Sequence, residues 1–132
     1  MKNKKMRMSL AFNAISAILA FILWGCWAFY INEASDTRLV SATTQALSSF
    51  SITLILVHMV TFIFHLLPVT PLRIVLPAVI SVSITGSGLV LAHMLAGTSR
   101  IFFTIAPALV VAFVFCVYTA LKLHRIMTDY EE

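Results

Sequence analysis

Apolar residues run almost unbroken through four stretches, residues 9–31, 46–67, 74–96 and 101–121, and polar residues collect in the three short breaks between them. At a rise of about 1.5 Å per residue, each stretch can carry a helix across a hydrocarbon layer about 30 Å thick. None of the four contains an Asp, Glu, Lys or Arg. A helix on the surface of a water-soluble protein would show a charged outer face, and no such face is present. The pattern therefore predicts an all-α membrane protein, with four transmembrane helices forming one domain over residues 1–132. Because the breaks are short, consecutive helices are expected to pack antiparallel, as an up-down-up-down bundle.

Each break has its own chemistry. The first, residues 32–45, carries Glu33, Asp36 and Arg38, and Asp36 is a candidate cap for an outward extension of the second helix. Pro68, Thr70 and Pro71 predict a tight turn in the second. Pro77 should either kink the third helix or mark its true start. Gly97, Thr98, Ser99 and Arg100 form a minimal hairpin. Glu33 and Arg100 flank helix ends on the same side and are expected to face water and headgroups. No repeat relates the first two helices to the last two, which argues against an internally duplicated transporter.

Charge orients the bundle. Lys2, Lys4, Lys5 and Arg7 precede the first helix, Arg73 lies beside the second break, and Lys122 and Arg125 follow the fourth helix. Only Arg38 and Arg100 would lie on the opposite side. Retention of Lys and Arg on the cytoplasmic side predicts that both termini are cytoplasmic and that the chain sits in a cell inner membrane. The net charge of +4 is then a topology signal. The scattered basic residues make no patch for nucleic acid. Trp24, Trp27 and Tyr30 at the end of the first helix, and Phe102 and Phe103 at the start of the fourth, suit an aromatic belt at one membrane boundary. The first apolar run is too long for a signal-peptide core and lacks an A-x-A site. The bulky Trp24 also disfavours a lipoprotein box ending at Cys26. Cys26 and Cys116 fall at different depths and are not expected to pair.

Polar residues inside the membrane carry the remaining information. Helix 2 places Thr44, Ser48, Ser51, His58 and His65 on one face, with Thr61 beside them. Helix 3 has Ser83, Gly86, Ser87, His93 and Gly97 on a similar stripe. Helix 4 offers Thr104, Ala108, Ala112 and Cys116, and helix 1 offers Ser9, Asn13, Ser16 and Ala20. Small and polar seams of this kind join helices in lipid. They are expected to meet, and Ser51, His58, Thr61, His65, Ser83, Gly86, Ser87 and His93 are the candidate lining of a polar seam or path. His58 and His93 differ in depth by about 13 Å, too far to share a metal or haem within one chain. No metal site and no cofactor is expected.

The length and four-helix layout look like those of the small multidrug transporters. That family depends on a membrane-embedded Glu in helix 1, whereas Asn13 and Ser16 stand in that region here. The likeness is architectural and implies no proton-for-cation exchange. No carboxylate pair, H-E-x-x-H or nucleophile elbow is present, so a catalytic role is not expected. Two readings follow. In the first, the chain is a non-enzymatic accessory or assembly subunit of a larger membrane complex. In the alternative, it is a small oligomeric transporter or lipid-handling protein with a polar path along helices 2 and 3. The expected partners are the lipid bilayer and either another membrane protein or further copies of the chain.

Overall fold

The computed structural model describes residues 2–131, with side chains described from Leu10 to Asp129. The side chains of Lys2, Lys4, Lys5, Arg7 and Ser9 lie outside the described residues. Four helices make up the chain: α1 (Lys2–Ile31), α2 (Arg38–Leu66), α3 (Leu72–Ala96) and α4 (Ile101–Glu131). All four are long and apolar enough to cross a membrane. The protein is therefore a multi-pass membrane protein.

Three boundaries depart from the hydropathy pattern, the first being that of α1, which starts at Lys2 and not at residue 9. Helix α2 starts at Arg38, well before residue 46, because Ser41 and Gln45 are polar yet buried. Helix α4 continues past residue 121 to Glu131, with its charged residues still helical. Asp36 is exposed and does not cap α2: the flanking residue is Thr37, which makes no side-chain cap bond. Thr37 Oγ1 instead donates to the Gly97 carbonyl at 2.9 Å, stitching the two loops together. Pro77 lies inside α3, which already begins at Leu72, so it does not mark the helix start.

The α1–α2 and α3–α4 connections meet at one end of the bundle, the two-loop end. The turn at residues 67–71 marks the opposite, one-loop end. Helix α1 packs along α2 and, among the described residues, does not pack on α3. Its contact surface is made of small residues. Ala17 and Ala28 are fully buried, and a Cβ added at Gly25 would lie 3.0 Å from Ala46 Cβ. Lipid rewards no apolar contact, so backbones held together by Gly and Ala gain their stability from van der Waals packing. Helices α2, α3 and α4 form the second packing unit. Leu56, Val60, Phe64, Ala78, Cys116 and Ala120 are its buried residues, toward the one-loop end.

Helix α4 holds α1 at the two-loop end by polar bonds. Pro107 lies inside α4 and has no N–H to offer the Phe103 carbonyl one turn earlier. The indole Nε1–H of Trp27 supplies that bond at 3.0 Å. The expected aromatic belt thus holds a tether between helices. Asn32, 1% exposed, ends α1 and donates from Nδ2 to Thr104 Oγ1 at 2.8 Å, and its Oδ1 accepts from Arg100 N–H at 3.3 Å.

The close α1–α2 approach is directly testable. Gly25→Leu should lower stability in detergent by about 1–3 kcal/mol, because Ala46 and the α2 backbone cannot yield as a flexible side chain would. Gly88→Leu is the matched control, since a Cβ there has nothing within 4 Å, and it should leave stability unchanged or slightly raised. Equal losses in thermal unfolding for the two variants would contradict this packing.

Candidate functional site

Two features lie side by side in the bundle: a chain of buried polar side chains near the two-loop end, and an apolar cleft between α1 and α4. The polar chain starts from a local sequence device. Gly97 ends α3 in the left-handed region at φ 73°, with Gly97 N–H bonded to Met94 O and Thr98 N–H bonded to His93 O. This paired arrangement turns the chain sharply back over the last helical turn. Glycine serves there because a side chain would be strained at that φ. The turn sets Thr98 Oγ1 2.7 Å from His93 Nδ1.

On α2, Ser41, Gln45 and Ser49 repeat every four residues and so share one face. His93 Nε2 lies 2.7 Å from Gln45 Oε1, and Gln45 Nε2 donates to Ser49 Oγ at 3.1 Å. Ser41 Oγ is 2.8 Å from Thr98 Oγ1. His93, Gln45 and Ser41 are fully buried. With the Gln45 oxygen toward the ring, Nε2 carries the imidazole proton and Nδ1 accepts from Thr98. Every bond in the chain then runs one way, from Ser41 through Thr98, His93 and Gln45 to Ser49. The amide of Gln45 interrupts any simple proton relay, so the chain acts as a fixed line of dipoles.

Ser49 lines the cleft, which has a volume of about 760 Å³. Phe12, Ser16, Leu19, Ala20, Leu23 and Trp24 of α1 form one wall, and Ala108, Val111, Ala112 and Phe115 of α4 form the other. The floor comprises Ile52, Thr53 and Leu56 of α2 with Thr85 and Leu89 of α3. Its threonines are internally satisfied: Thr53 Oγ1 donates to Ser49 O and Thr85 Oγ1 to Ser81 O. The cleft is thus an apolar space in mid-bundle with a few hydroxyl oxygens on its floor.

The candidate seam residues scatter relative to this site. Only His93 and Gly86 are buried, Gly86 against Leu109 of α4. Ser51, His58 and His65 are exposed on α2, and Ser83 and Ser87 on α3. Thr61 is half-buried and bonds its own helix at Val57 O. Ser87 likewise donates to Ser83 O, and the His65 ring packs edge-on to Phe64. Ser48 and Ser51 line only a shallow α2–α3 groove of about 350 Å³, with Thr85 and Gly88. On α2 the stripe and the interior face are different. Its interior face is Ser41, Gln45, Ser49, Leu56, Val60 and Phe64, rotated by about one residue, or 100°, from the stripe through Ser48, Ser51 and His58. On α4 the expected stripe does turn inward, since Thr104 and Cys116 are buried and Ala108 and Ala112 line the cleft.

The fold and this site define a small multi-pass membrane protein with a laterally placed apolar cleft and a buried neutral polar chain ending on it. Comparison with known protein families, with curated proteins and with solved structures finds no match to the chain.

Removing one member of the polar chain should cost more than removing two. Gln45→Leu strands the His93 N–H in a buried place and should cost about 1–2 kcal/mol. Adding His93→Leu removes the stranded donor and should recover part of that loss. A double-mutant cycle read by thermal unfolding measures the coupling, and a coupling of zero would show that the two side chains do not interact.

Proposed function

We propose that the protein holds the hydrocarbon part of a lipid or similar amphiphile in the cleft between α1 and α4, as a small lipid-handling protein of a cell inner membrane with both termini cytoplasmic. The role is binding and presentation, not bond-making. One observation carries this reading: a cleft of about 760 Å³, walled by apolar side chains, between two helices that are tied by hydrogen bonds at the two-loop end. That volume falls within the range of about 300–1,000 Å³ usual for small-molecule sites. An occupant can enter sideways from the bilayer without exposing its chain to water. The hydroxyl of Ser49, held as an acceptor by Gln45, keeps its own proton available to a neutral polar group on the occupant.

The accessory-subunit reading is favoured by a different observation. His58, His65, Ser51, Ser83 and Ser87 face outward on α2 and α3, where lipid offers an imidazole no hydrogen bond. A partner helix, from another membrane protein or a second copy of this chain, would cover them. The two readings occupy different faces and are compatible in one assembly.

A lipid with a photoreactive group in mid-chain tests the first reading. Labelling should concentrate on residues facing the cleft, such as Leu19, Leu23 and Val111, and should saturate. Ala20→Trp and Ala108→Trp, which fill the space, should abolish it. Labelling spread evenly over outward residues such as Leu91 and Leu95, without saturation, would mean only that the bilayer surrounds the protein.

A further inference from the structure

Arg73 is the one Arg or Lys side chain among the described residues that is buried, at 4% exposure, and it lies in the first turn of α3 at the one-loop end. No carboxylate within ion-pair distance accompanies it among the described residues. Its Nε–H donates to His124 Nδ1 of α4 at 3.2 Å, and its guanidinium stands 4.5 Å over the Phe64 ring of α2. Three helices thus converge on one cation. A buried charge without a counter-charge is strongly unfavourable. The Phe64 face offsets part of that cost, and His124 uses only one of the guanidinium N–H groups.

The neighbours enrich the positive character. Because His124 Nδ1 accepts from Arg73, its proton sits on Nε2, which makes the half-buried ring a second donor. Lys122 and Arg125 flank His124 on α4 and are exposed. Asp129, also exposed, is the nearest acid on the described part of α4 and makes no ion pair there. A planar fork of N–H donors matches phosphate oxygens in pairs, and basic pockets between membrane helices suit anionic lipid headgroups.

We propose that Arg73 and His124, between α2, α3 and α4, form a binding site for a phosphate oxyanion, with Phe64 holding the guanidinium in place. The site lies apart from the α1–α4 cleft and does not rest on what occupies that cleft. Its anion comes either from an anionic phospholipid headgroup at the membrane boundary or from a phosphate group in solution, and the test separates the two.

The whole protein, extracted and stripped of lipid, is followed by thermal unfolding while phosphatidylglycerol, phosphatidylcholine or inorganic phosphate is added. A ligand that binds only the folded state raises the midpoint. Phosphatidylglycerol should raise it saturably and phosphatidylcholine should not. Arg73→Gln should weaken the response by about tenfold or more, and Arg73→Lys by less, since it keeps the charge without the fork. Gly88→Leu, at an exposed position that lines neither this site nor the cleft, should respond as the wild type does. If inorganic phosphate alone produces the same Arg73-dependent shift, the site stands and takes its anion from solution. If wild type and Arg73→Gln respond alike, or neither responds, the proposal is overturned. Should Arg73→Gln fail to fold, His124→Phe makes the same comparison on the same criteria, because it removes the second donor and leaves the charge in place.

Discussion

Hydrocarbon offers no hydrogen bond, so every polar group that this chain carries into the membrane has to find its partner in the protein. That constraint explains more of the architecture than apolar burial does, because contact between apolar side chains is rewarded no more than contact with lipid. The Phe103 carbonyl is the clearest instance. Pro107 leaves it without a helical donor, and the indole of Trp27 from another helix supplies one. His93, Gln45 and Thr98 show the same logic among side chains. Ser81 is the exception among the buried side chains, a fully buried hydroxyl with no partner among the described residues.

The distribution of those bonds shapes the bundle. At the two-loop end, Trp27, Asn32, Thr37, Gln45 and His93 each bond to a different part of the chain, so all four helices are tied there. Further along, the described residues of α1 make no polar bond to α4, and the helix rests on α2. At the other end α2, α3 and α4 pack on one another through Phe64, Ala78 and Cys116. The cleft lies in the space this arrangement leaves. It follows from where cohesion stops, and it needs no separate device to hold it open.

Helix number and approximate position were legible in the sequence, because length and the absence of charge suffice to mark a span. The facing of α2 was not. In a soluble helix hydrophobicity separates inside from outside, but on α2 polar residues occupy both faces, and a periodic stripe through Ser51, His58 and His65 reads as well as the buried one through Ser41, Gln45 and Ser49. What distinguishes the two faces is long-range: Gln45 matters because His93, 48 positions later, meets it. Gln45 also fell at the edge of the apolar run, where hydropathy assigns a loop. Asn32 looked like loop chemistry for the same reason. A local signal did exist for the turn at Gly97, since a glycine at the end of an apolar helix predicts a left-handed cap, and for Pro107, whose missing N–H leaves the Phe103 carbonyl in need of a donor.

The two ends of the bundle therefore differ in the chemistry they bury. At the two-loop end the buried polar groups around His93 satisfy one another, with His93 engaged at both nitrogens, and the charged Glu33, Asp36, Arg38 and Arg100 stay outside the interior. The one-loop end keeps a buried guanidinium with donors to spare, next to exposed Lys122 and Arg125. An anionic group finds spare donors at the Arg73 site, apart from the cleft, and finds none in the buried polar chain around His93. Packing alone has no use for this asymmetry. A bundle selected only to cohere would gain by replacing Arg73 with an apolar residue of similar volume, since a well-packed apolar group generally stabilises as much as a buried charge or more. The buried cation is understandable if something negative completes it.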